Sequence, residues 1–303
     1  MDRDADHWLN PTRADPQMAN GDGIGGAGGR SGKPRQPLLS SALVGSTNRG
    51  RVLQALFDLG PTSRADLARL AGVNRTTISG IVQPLLDQQV LVETDAVPAN
   101  AGGGKPAKPL WFSPDGRPIC GVLLMPDTVR TCLVTLEGKI LAEHRAPLTN
   151  EVGRKAMIDT VAECIEKTIA EARRAPLGIG VAVGGMVDTD RGSIVTINLA
   201  PALDGFPLAD ELSKCFSLPV LLDHHPRALL VGDRWFGKGR GIRRFAVVYT
   251  GEVLGGALYL DDHLYRGSSG AGGELGHTFV QVDGELCRCG RHGCWDTIAT
   301  LSW

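Results

Sequence analysis

Three cysteines crowded into eight residues constrain the fold of this chain more than any other feature of its sequence. Cys287, Cys289 and Cys294 follow His277 in the segment GGELGHTFVQVDGELCRCGRHGCWD. Three thiolates and one imidazole are a tetrahedral donor set that Zn²⁺ prefers. We therefore expect a structural zinc site here, with no open coordination position for hydrolysis.

Two alternatives to this ligand set stay open. His292 is a competing fourth ligand, although it lies between two of the cysteines and would reach the same metal less readily. Redox-active thiols are the other alternative, but the spacing lacks the Cys-x-x-Cys motif typical of them. The remaining four cysteines are scattered through apolar segments and are expected to be buried thiols: Cys120, Cys132, Cys164 and Cys215.

Residues 1–40 are expected to be a disordered tail, because Gly21–Gly32 offers almost no side chains with which to build a core. No acid lies between Asp22 and Asp58. The same interval holds five basic residues, Arg30, Lys33, Arg35, Arg49 and Arg51. This stretch is either a solvated linker or a flexible basic arm that adds phosphate contacts to a neighbouring DNA-binding domain.

Residues 41–115 have the pattern of a winged helix-turn-helix domain. Three helices are expected in this domain. The first begins at Ser46 and is stopped by Gly60-Pro61, the second is capped by Thr62 or Ser63, and the third is capped by Asn74. Two short helices around a glycine turn are typical of the helix-turn-helix motif. The extended runs VLVET and KPLWF, on either side of AVPANAGGGKPA, predict a β-hairpin wing.

The third helix is expected to enter the major groove of double-stranded DNA. The expected DNA-contacting residues are Arg64, Asn74, Arg75, Thr76, Thr77 and Ser79, with Lys105 of the wing near the DNA backbone or minor groove. Residues 41–112 carry seven basic and five acidic side chains, so a net charge of +2 makes affinity depend on dimerisation. Gly80 and Pro84 fit a recognition helix poorly, and a helical protein-interaction module is the alternative.

Residues 116–303 change to an α/β pattern. Strand-like runs are ICGVLLM, TVRTCLVTL, KILAEHRA, LGIGVAVGG, LPVLLD, RFAVVYT and GALYLDD, and a helix is expected over Arg154–Arg173. This alternation predicts a sheet with covering helices.

Charge and composition narrow the class of protein. A net charge of −1 gives no global field that would attract nucleic acid or membranes, and 42% hydrophobic residues exclude a wholly disordered chain. The start MDRDADHWLN lacks the apolar core of a signal peptide, and no 18-residue apolar stretch follows. We therefore expect a cytoplasmic protein without a membrane partner.

The order of these motifs resembles the ROK family of repressors and sugar kinases, in particular its DNA-binding regulators. The resemblance runs from about Asn48 to the last residue, on GPTSRADLARLAGVNRTTIS, GGGKPAKPL, VAVGGMVDTDRGSIVTINLA, RWFGKGRG, LYRGSSGAGGELGH and CRCGRHGCWD. It implies a two-lobed, actin-like (ribonuclease H-like) domain, a homodimer or homotetramer, and zinc on the four residues above. The family continues well beyond its zinc motif, so we expect this chain, which stops at Trp303, to be a fragment or a shortened member with an incomplete C-terminus.

The resemblance also implies a sugar site. The matching positions are Asn198, Glu274, His277 and Asp296, the last in place of a longer glutamate. Asn198 has an alternative role as an ordinary turn residue. His224 and His225 replace an Asn-Asp pair, so affinity for a standard hexose would be reduced. The effector would be a sugar, a sugar derivative such as a sugar phosphate, or nothing at all.

The phosphate-binding positions of the family kinases are altered. Leu123 and Pro126 stand in the first phosphate loop, and Glu252 and Val253 stand in the second. His225 occupies the position of the catalytic Asp of the family kinases. Phosphoryl transfer requires above all the positioning that the phosphate loops supply. We therefore expect a transcriptional regulator, and specifically a repressor, rather than an enzyme. The alternatives are a degenerate scaffold that binds DNA without an effector and, less favoured, a sugar kinase.

Overall fold

The computed structural model describes residues 41–95, 107–149, 153–197, 200–251, 253–267 and 270–300. The chain divides into two compact units, unit 1 at Met1–Ser113 and unit 2 at Pro114–Trp303. The expected glycine-rich tail at 1–40, Lys105, Asn198 and Glu252 lie outside the described residues. Within those residues, no helix is both long enough and apolar enough to span a membrane.

Unit 1 contains three helices. They are α1 (Ser41–Leu59), α2 (Arg64–Ala71) and α3 (Arg75–Asp87). The predicted start of α1 at Ser46 was wrong, since Ala42 and Leu43 are good helix formers and extend it toward the N-terminus. Both predicted caps are confirmed, because the side chain of Ser63 accepts a hydrogen bond from the Asp66 amide and that of Asn74 accepts one from the Thr77 amide.

A small antiparallel sheet completes unit 1. Its strands are β1 (Thr62–Ser63), β2 (Leu91–Glu93) and β3 (Pro109–Phe112), in the order β1-β3-β2. The predicted pairing of VLVET with KPLWF is confirmed, with Leu91 opposite Phe112. The buried core of the unit includes Leu56, Leu67, Ile78, Val82 and Leu110.

Unit 2 begins with a mixed five-stranded sheet. Its strands are β4 (Ile119–Leu124), β5 (Thr128–Val134), β6 (Ile140–Pro147), β7 (Ile179–Val183) and β10 (Val220–His224). They lie in the order β10-β7-β4-β5-β6. Strands β4 to β6 are an antiparallel meander, and β7 and β10 run parallel to β4 and to each other. Alternate residues such as Val122, Val181 and Leu222 point into one apolar core.

Two helices contribute to that core, α4 (Gly153–Ala170) and α5 (Leu208–Phe216). The predicted end of α4 at Arg173 was wrong. The amides of Glu171 and Ala172 bond to carbonyl groups three residues back, which tightens the last turn and ends the helix. A hairpin of β8 (Met186–Asp188) and β9 (Ser193–Thr196) lies between β7 and α5 in the chain.

A second, three-stranded antiparallel sheet follows helix α6 (His225–Phe236). Its strands are β11 (Phe245–Thr250), β12 (Leu254–Leu260) and β13 (His263–Tyr265), in that order. Leu230 of α6 packs with Ala257 and Tyr259 of β12. The chain then runs through two short 3₁₀ turns, Leu275–His277 and Trp295–Thr297. The first turn ends with the predicted ligand His277, and the three predicted cysteine ligands lie between the two turns.

Candidate functional site

The structure brings the four predicted metal ligands together. One donor atom from each of His277, Cys287, Cys289 and Cys294 lies within 4.8 Å of the other three. His277 Nδ1 is 3.6 Å from Cys287 Sγ, and the same distance separates Cys289 Sγ from Cys294 Sγ. A set of three sulfurs and one imidazole nitrogen at this spacing could hold a metal ion.

Glycine makes the tight backbone around these ligands possible. Gly290 and Gly293 have φ angles of +85° and +71°, which L side chains rarely adopt. A Cβ at Gly293 would also collide with the carbonyl oxygen of Gln281. Isolated bridges pair Phe279 with Cys294 and Leu286 with His292, so three short segments lie side by side.

His292, the competing ligand, does not join the group. Its Nδ1 is 3.1 Å from the carbonyl oxygen of Gly284. The group therefore contains His277, which comes from the 3₁₀ turn before the cysteines.

Arg291 places a positive charge beside the thiols. Hydrogen bonds from its backbone and side chain lower the pKa of the Cys289 thiol to about 6. Burial instead raises the pKa of Cys294 to about 11. The exposed cysteine is therefore the one held most readily as a thiolate, the form that binds metal.

A cavity of about 500 Å³ adjoins this cluster, and His277 and Cys289 line both. Its other polar lining comes from chain segments that are far apart in sequence. They include Asp127, Thr196, His224, His225, Tyr249, Glu274, Arg288 and Asp296. The volume suits a small polar ligand such as a monosaccharide.

Two adjacent histidines form one wall of the cavity, where β10 ends and α6 begins. His224 is 9% exposed, and its Nδ1 has no hydrogen-bond partner among the described residues. The nearest acid is Glu274, whose Oε1 is 3.9 Å from that nitrogen. Burial, assisted by the positive charge of Arg227, lowers the pKa of His224 to about 4. The ring is therefore neutral at pH 7.

His225 is held in a different way. Its ring packs edge-to-face against Tyr249, with the ring centroids 4.4 Å apart. Burial lowers its pKa as well. Sequence reasoning missed Tyr249, and only the placement of β11 beside α6 brings it to this wall.

The two predicted acids in the cavity differ in their contacts. Glu274 is half-buried, and this burial raises its pKa. Asp296 is buried, and its Oδ1 accepts a hydrogen bond of 2.6 Å from the Leu254 amide. Its Oδ2 lies 3.6 Å from Arg288 Nη2. Asp296 therefore anchors the start of β12, whereas Glu274 has more freedom to contact a ligand.

Sequence reasoning also missed Asp223, which organises the residues behind the histidines. Its Oδ1 accepts a 2.6 Å hydrogen bond from Arg227 Nε, and its Oδ2 accepts a 2.7 Å bond from Arg266 Nη2. Arg227, which is buried, also donates to the carbonyl oxygen of Gly270. The Asp-x-x-x-Arg spacing at the start of α6 is the one sequence signal for this network.

A second candidate surface lies on unit 1, at the start of α3. Asn74, Arg75, Thr76 and Thr77 are exposed, and Ser79 is half-buried. Asn74 Oδ1 accepts 2.8 Å hydrogen bonds from the Thr77 amide and from the hydroxyl groups of Thr76 and Thr77. This oxygen is therefore committed to the helix cap.

Arg64, the remaining described DNA-contact candidate, is held by an acid. Its Nη1 donates a 2.5 Å hydrogen bond to Glu93 Oε1 on β2, and this bond holds the pKa of Glu93 below its usual value. Arg64 thus joins α2 to the hairpin strand.

Comparison with known proteins gives a family match over most of unit 2. The sequence profile of the ROK family matches residues 121–301. The chain belongs to the ROK family. A xylose repressor from Caldicellulosiruptor bescii is 28% identical over 263 residues, which cover 85% of this chain and 65% of the repressor. The transcriptional repressor Mlc of Escherichia coli is 26% identical over 85% of this chain and 64% of its own length.

ROK kinases match a shorter part of the chain. A glucokinase from Thermotoga maritima is 32% identical over 184 residues, or 61% of this chain and 57% of the enzyme. Among solved structures, a ROK-family transcriptional regulator homologous to E. coli Mlc has the same fold, with a TM-score of 0.72 at 24% identity over 86% of this chain and 65% of its own. This chain thus spans about two thirds of the length of the ROK regulators it matches.

The ROK phosphate-loop positions form a tight turn in this structure. The amide of Met125 donates to the carbonyl oxygen of Thr128 at 2.9 Å, which closes the β4–β5 hairpin. Pro126 within it has no N–H to offer, and Asp127 lines the cavity. Pro126 therefore cannot donate a backbone hydrogen bond to a phosphate at this position.

Proposed function

We propose that this chain is a DNA-binding transcriptional regulator, specifically a repressor, whose ROK domain senses a sugar or sugar derivative. The observation that carries this proposal is the extent of the alignments. The repressors align over about 85% of the chain, and therefore include unit 1, whereas the glucokinase aligns over 61%. Unit 1 is thus shared with regulators.

Unit 1 has the parts of a winged helix-turn-helix domain. Helix α3 would lie in the major groove, with Arg75, Thr76, Thr77 and Ser79 toward base edges and phosphates. Asn74 would act through its cap, and Arg64 would contact phosphate only at the expense of its bond to Glu93. The segment that joins β2 to β3, which contains Lys105, would be the wing. A homodimer would place two α3 helices on a pseudo-palindromic operator.

The metal would be Zn²⁺, because three sulfurs and one imidazole nitrogen are the donor set that it prefers. When bound, zinc supplies cross-links between segments that are otherwise joined by turns and isolated β-bridges. His277, Cys287, Cys289 and Cys294 would hold it, and all four positions would be filled by the protein. The role is structural, and His277 joins the metal cluster to the cavity wall.

The cavity residues suit a ligand with many hydroxyl groups. The neutral rings of His224 and His225 can each donate and accept a hydrogen bond. Glu274 accepts from hydroxyl groups, and a ligand atom near His224 Nδ1 would satisfy a buried polar atom that otherwise costs about 1–3 kcal/mol. We propose Glu274, His277 and the two histidines as effector contacts, with Asp296 as the support behind them and Asn198 as a further contact.

Kinase activity is disfavoured by the same geometry. His225, at the position of the kinase general base, packs edge-to-face against Tyr249, and Pro126 replaces an amide donor of the phosphate loop. Phosphoryl transfer depends on such positioning and charge stabilisation.

The DNA-binding test uses the full, zinc-loaded chain in a selection from a random duplex library. We expect enrichment of one pseudo-palindromic sequence, followed by binding in fluorescence anisotropy. Arg75→Ala should weaken binding about tenfold or more and lower the salt slope by about 1. Lys139→Ala, at an exposed cation of the β5–β6 turn, is the matched control and should leave both unchanged. Absence of any enriched sequence would contradict the DNA-binding function.

The effector test titrates the protein–DNA complex with sugars and sugar phosphates. The expected result is release of DNA by one class of ligand, and loss of that response in Glu274→Gln, which keeps the side-chain shape but removes the charge. DNA binding with no response to any ligand would favour the effectorless scaffold. ATP-dependent phosphorylation of a sugar would instead establish a kinase.

A further inference from the structure

The three cysteines of the metal cluster differ sharply in their access to solvent. Cys287 and Cys294 are 3% and 1% exposed, whereas Cys289 is exposed at the surface. A small oxidant in solution can therefore reach one thiol of the cluster directly.

A second sulfur within contact distance of that thiol belongs to Cys294. The two Sγ atoms are 3.6 Å apart, compared with about 2.05 Å in a disulfide. The residues between them include Gly290 and Gly293, whose left-handed backbone allows the small rotation that would close this gap. The thiols are thus placed for pairing as well as for metal binding.

We propose that Cys289 is an oxidation site for hydrogen peroxide, and that its oxidation ends in a Cys289–Cys294 disulfide with expulsion of the metal. The inference rests on the proposed zinc centre. Among the described cysteines outside the cluster, none combines full exposure with a thiol contact, because Cys132 is only partly exposed and Cys120 and Cys164 are buried. The expectation of a buried thiol was wrong for Cys215, which is exposed on α5 without a described thiol contact.

The chemistry balances in two steps. The Cys289 thiolate attacks one peroxide oxygen, so that an S–O bond forms, the O–O bond breaks and hydroxide leaves. Cys289 is then a sulfenic acid, oxidised by two electrons. The Cys294 thiolate attacks its sulfur, an S–S bond forms, and the S–O bond breaks to release a second hydroxide. Two protons from solvent convert the hydroxides to water.

Metal loss follows because a disulfide sulfur is a poor ligand. Only His277 and Cys287 would remain, and two donors do not complete the tetrahedral set of zinc. His277 also lines the cavity, so its release changes a wall of the proposed effector site. Reduction of the disulfide and addition of zinc would restore the original state.

The test treats zinc-loaded full-length protein with hydrogen peroxide and measures two quantities. Zinc release is followed with a colorimetric chelator, and the cysteine linkages are mapped by mass spectrometry of alkylated, non-reduced peptides. We expect one zinc released per chain and one disulfide, between Cys289 and Cys294. A thiol reductant followed by zinc should reverse both changes.

The matched control is Cys215→Ser, which removes the exposed thiol of α5 and should leave zinc release and the disulfide unchanged. Retention of zinc while Cys215 of the unsubstituted protein becomes oxidised would overturn the proposal. Pairing of Cys289 with Cys287, or sulfinic acid without a disulfide, would overturn it too. Absence of zinc before peroxide is added would instead contradict the proposed metal centre, and peptide mapping would still test the cysteine pairing.

Discussion

The start of α3 in unit 1 and the cavity of unit 2 are built in opposite ways. The candidate DNA surface uses neighbouring residues on one helix, held by an Asn74 cap that lies within the same turn. The cavity draws its wall from segments between Met125 and Asp296, and each depends on the placement of the others. The candidate DNA surface should therefore tolerate substitutions elsewhere in the chain, whereas the cavity should not.

Removal of the metal should give the largest contrast between the two regions. A strong chelator is expected to abolish the protection of amides in residues 277–296 from hydrogen exchange, because metal binding to such sites contributes several kcal/mol or more to folding. Protection in α3 should stay unchanged, since its cap and core are local to unit 1. Equal loss of protection in both regions would show that α3 also depends on the metal.

Acid should destabilise the protein through His224, a residue of the cavity wall. The unfolded chain protonates His224 near pH 6.5, but the native protein does so only near pH 4. The unfolded state therefore binds more protons between these values, and stability falls as the pH falls from 6.5 to 4, by on the order of 3 kcal/mol for this group.

The measurement is urea unfolding at several pH values for the natural chain and for His224→Asn. Protonation of the metal ligands lowers stability in the same range in both proteins, so the difference between their curves isolates His224. We expect the variant to lose less stability toward pH 4. Parallel curves would show that the His224 environment does not disfavour the imidazolium.

The smallest expected effect concerns the cap of α3. Asn74→Ala should lower the stability of unit 1 by about 1 kcal/mol, because the amide of Thr77 and two hydroxyl groups lose their common acceptor. Asn74→Asp keeps that acceptor and should recover most of the stability. Binding of the proposed effector by unit 2 should be unaffected in both variants, and a change in a binding titration would contradict the independence of the two regions.

Much of unit 1 and of the strand pattern could be predicted, because these features depend on short-range rules. The cap at Asn74 follows from a side chain that reaches an amide three residues on, and the strands follow from alternation. The helix ends at Ser41 and Ala170 were not predicted. Helix boundaries depend on weak propensities and tight last turns, and apolar spacing does not encode them.

The cavity shows why the rest could not be predicted. The resemblance to the ROK family implied that Glu274 and Asp296 are both sugar contacts, yet Asp296 accepts a hydrogen bond from an amide 42 residues away. Tyr249 and Asp223 had no sequence signal strong enough to single them out. Their roles appear only when β10, α6 and β11 are placed together.

The four candidate metal ligands and the polar start of α3 could be predicted from the sequence alone, since neighbouring or closely spaced residues form both. Packing of distant segments instead sets which acid faces His224, which aromatic ring covers His225, and which thiol of the cluster reaches solvent. Burial and hydrogen-bond partnership are properties of the packed chain. Residues far apart in sequence acquire their pKa values and contacts only when folding removes water between them.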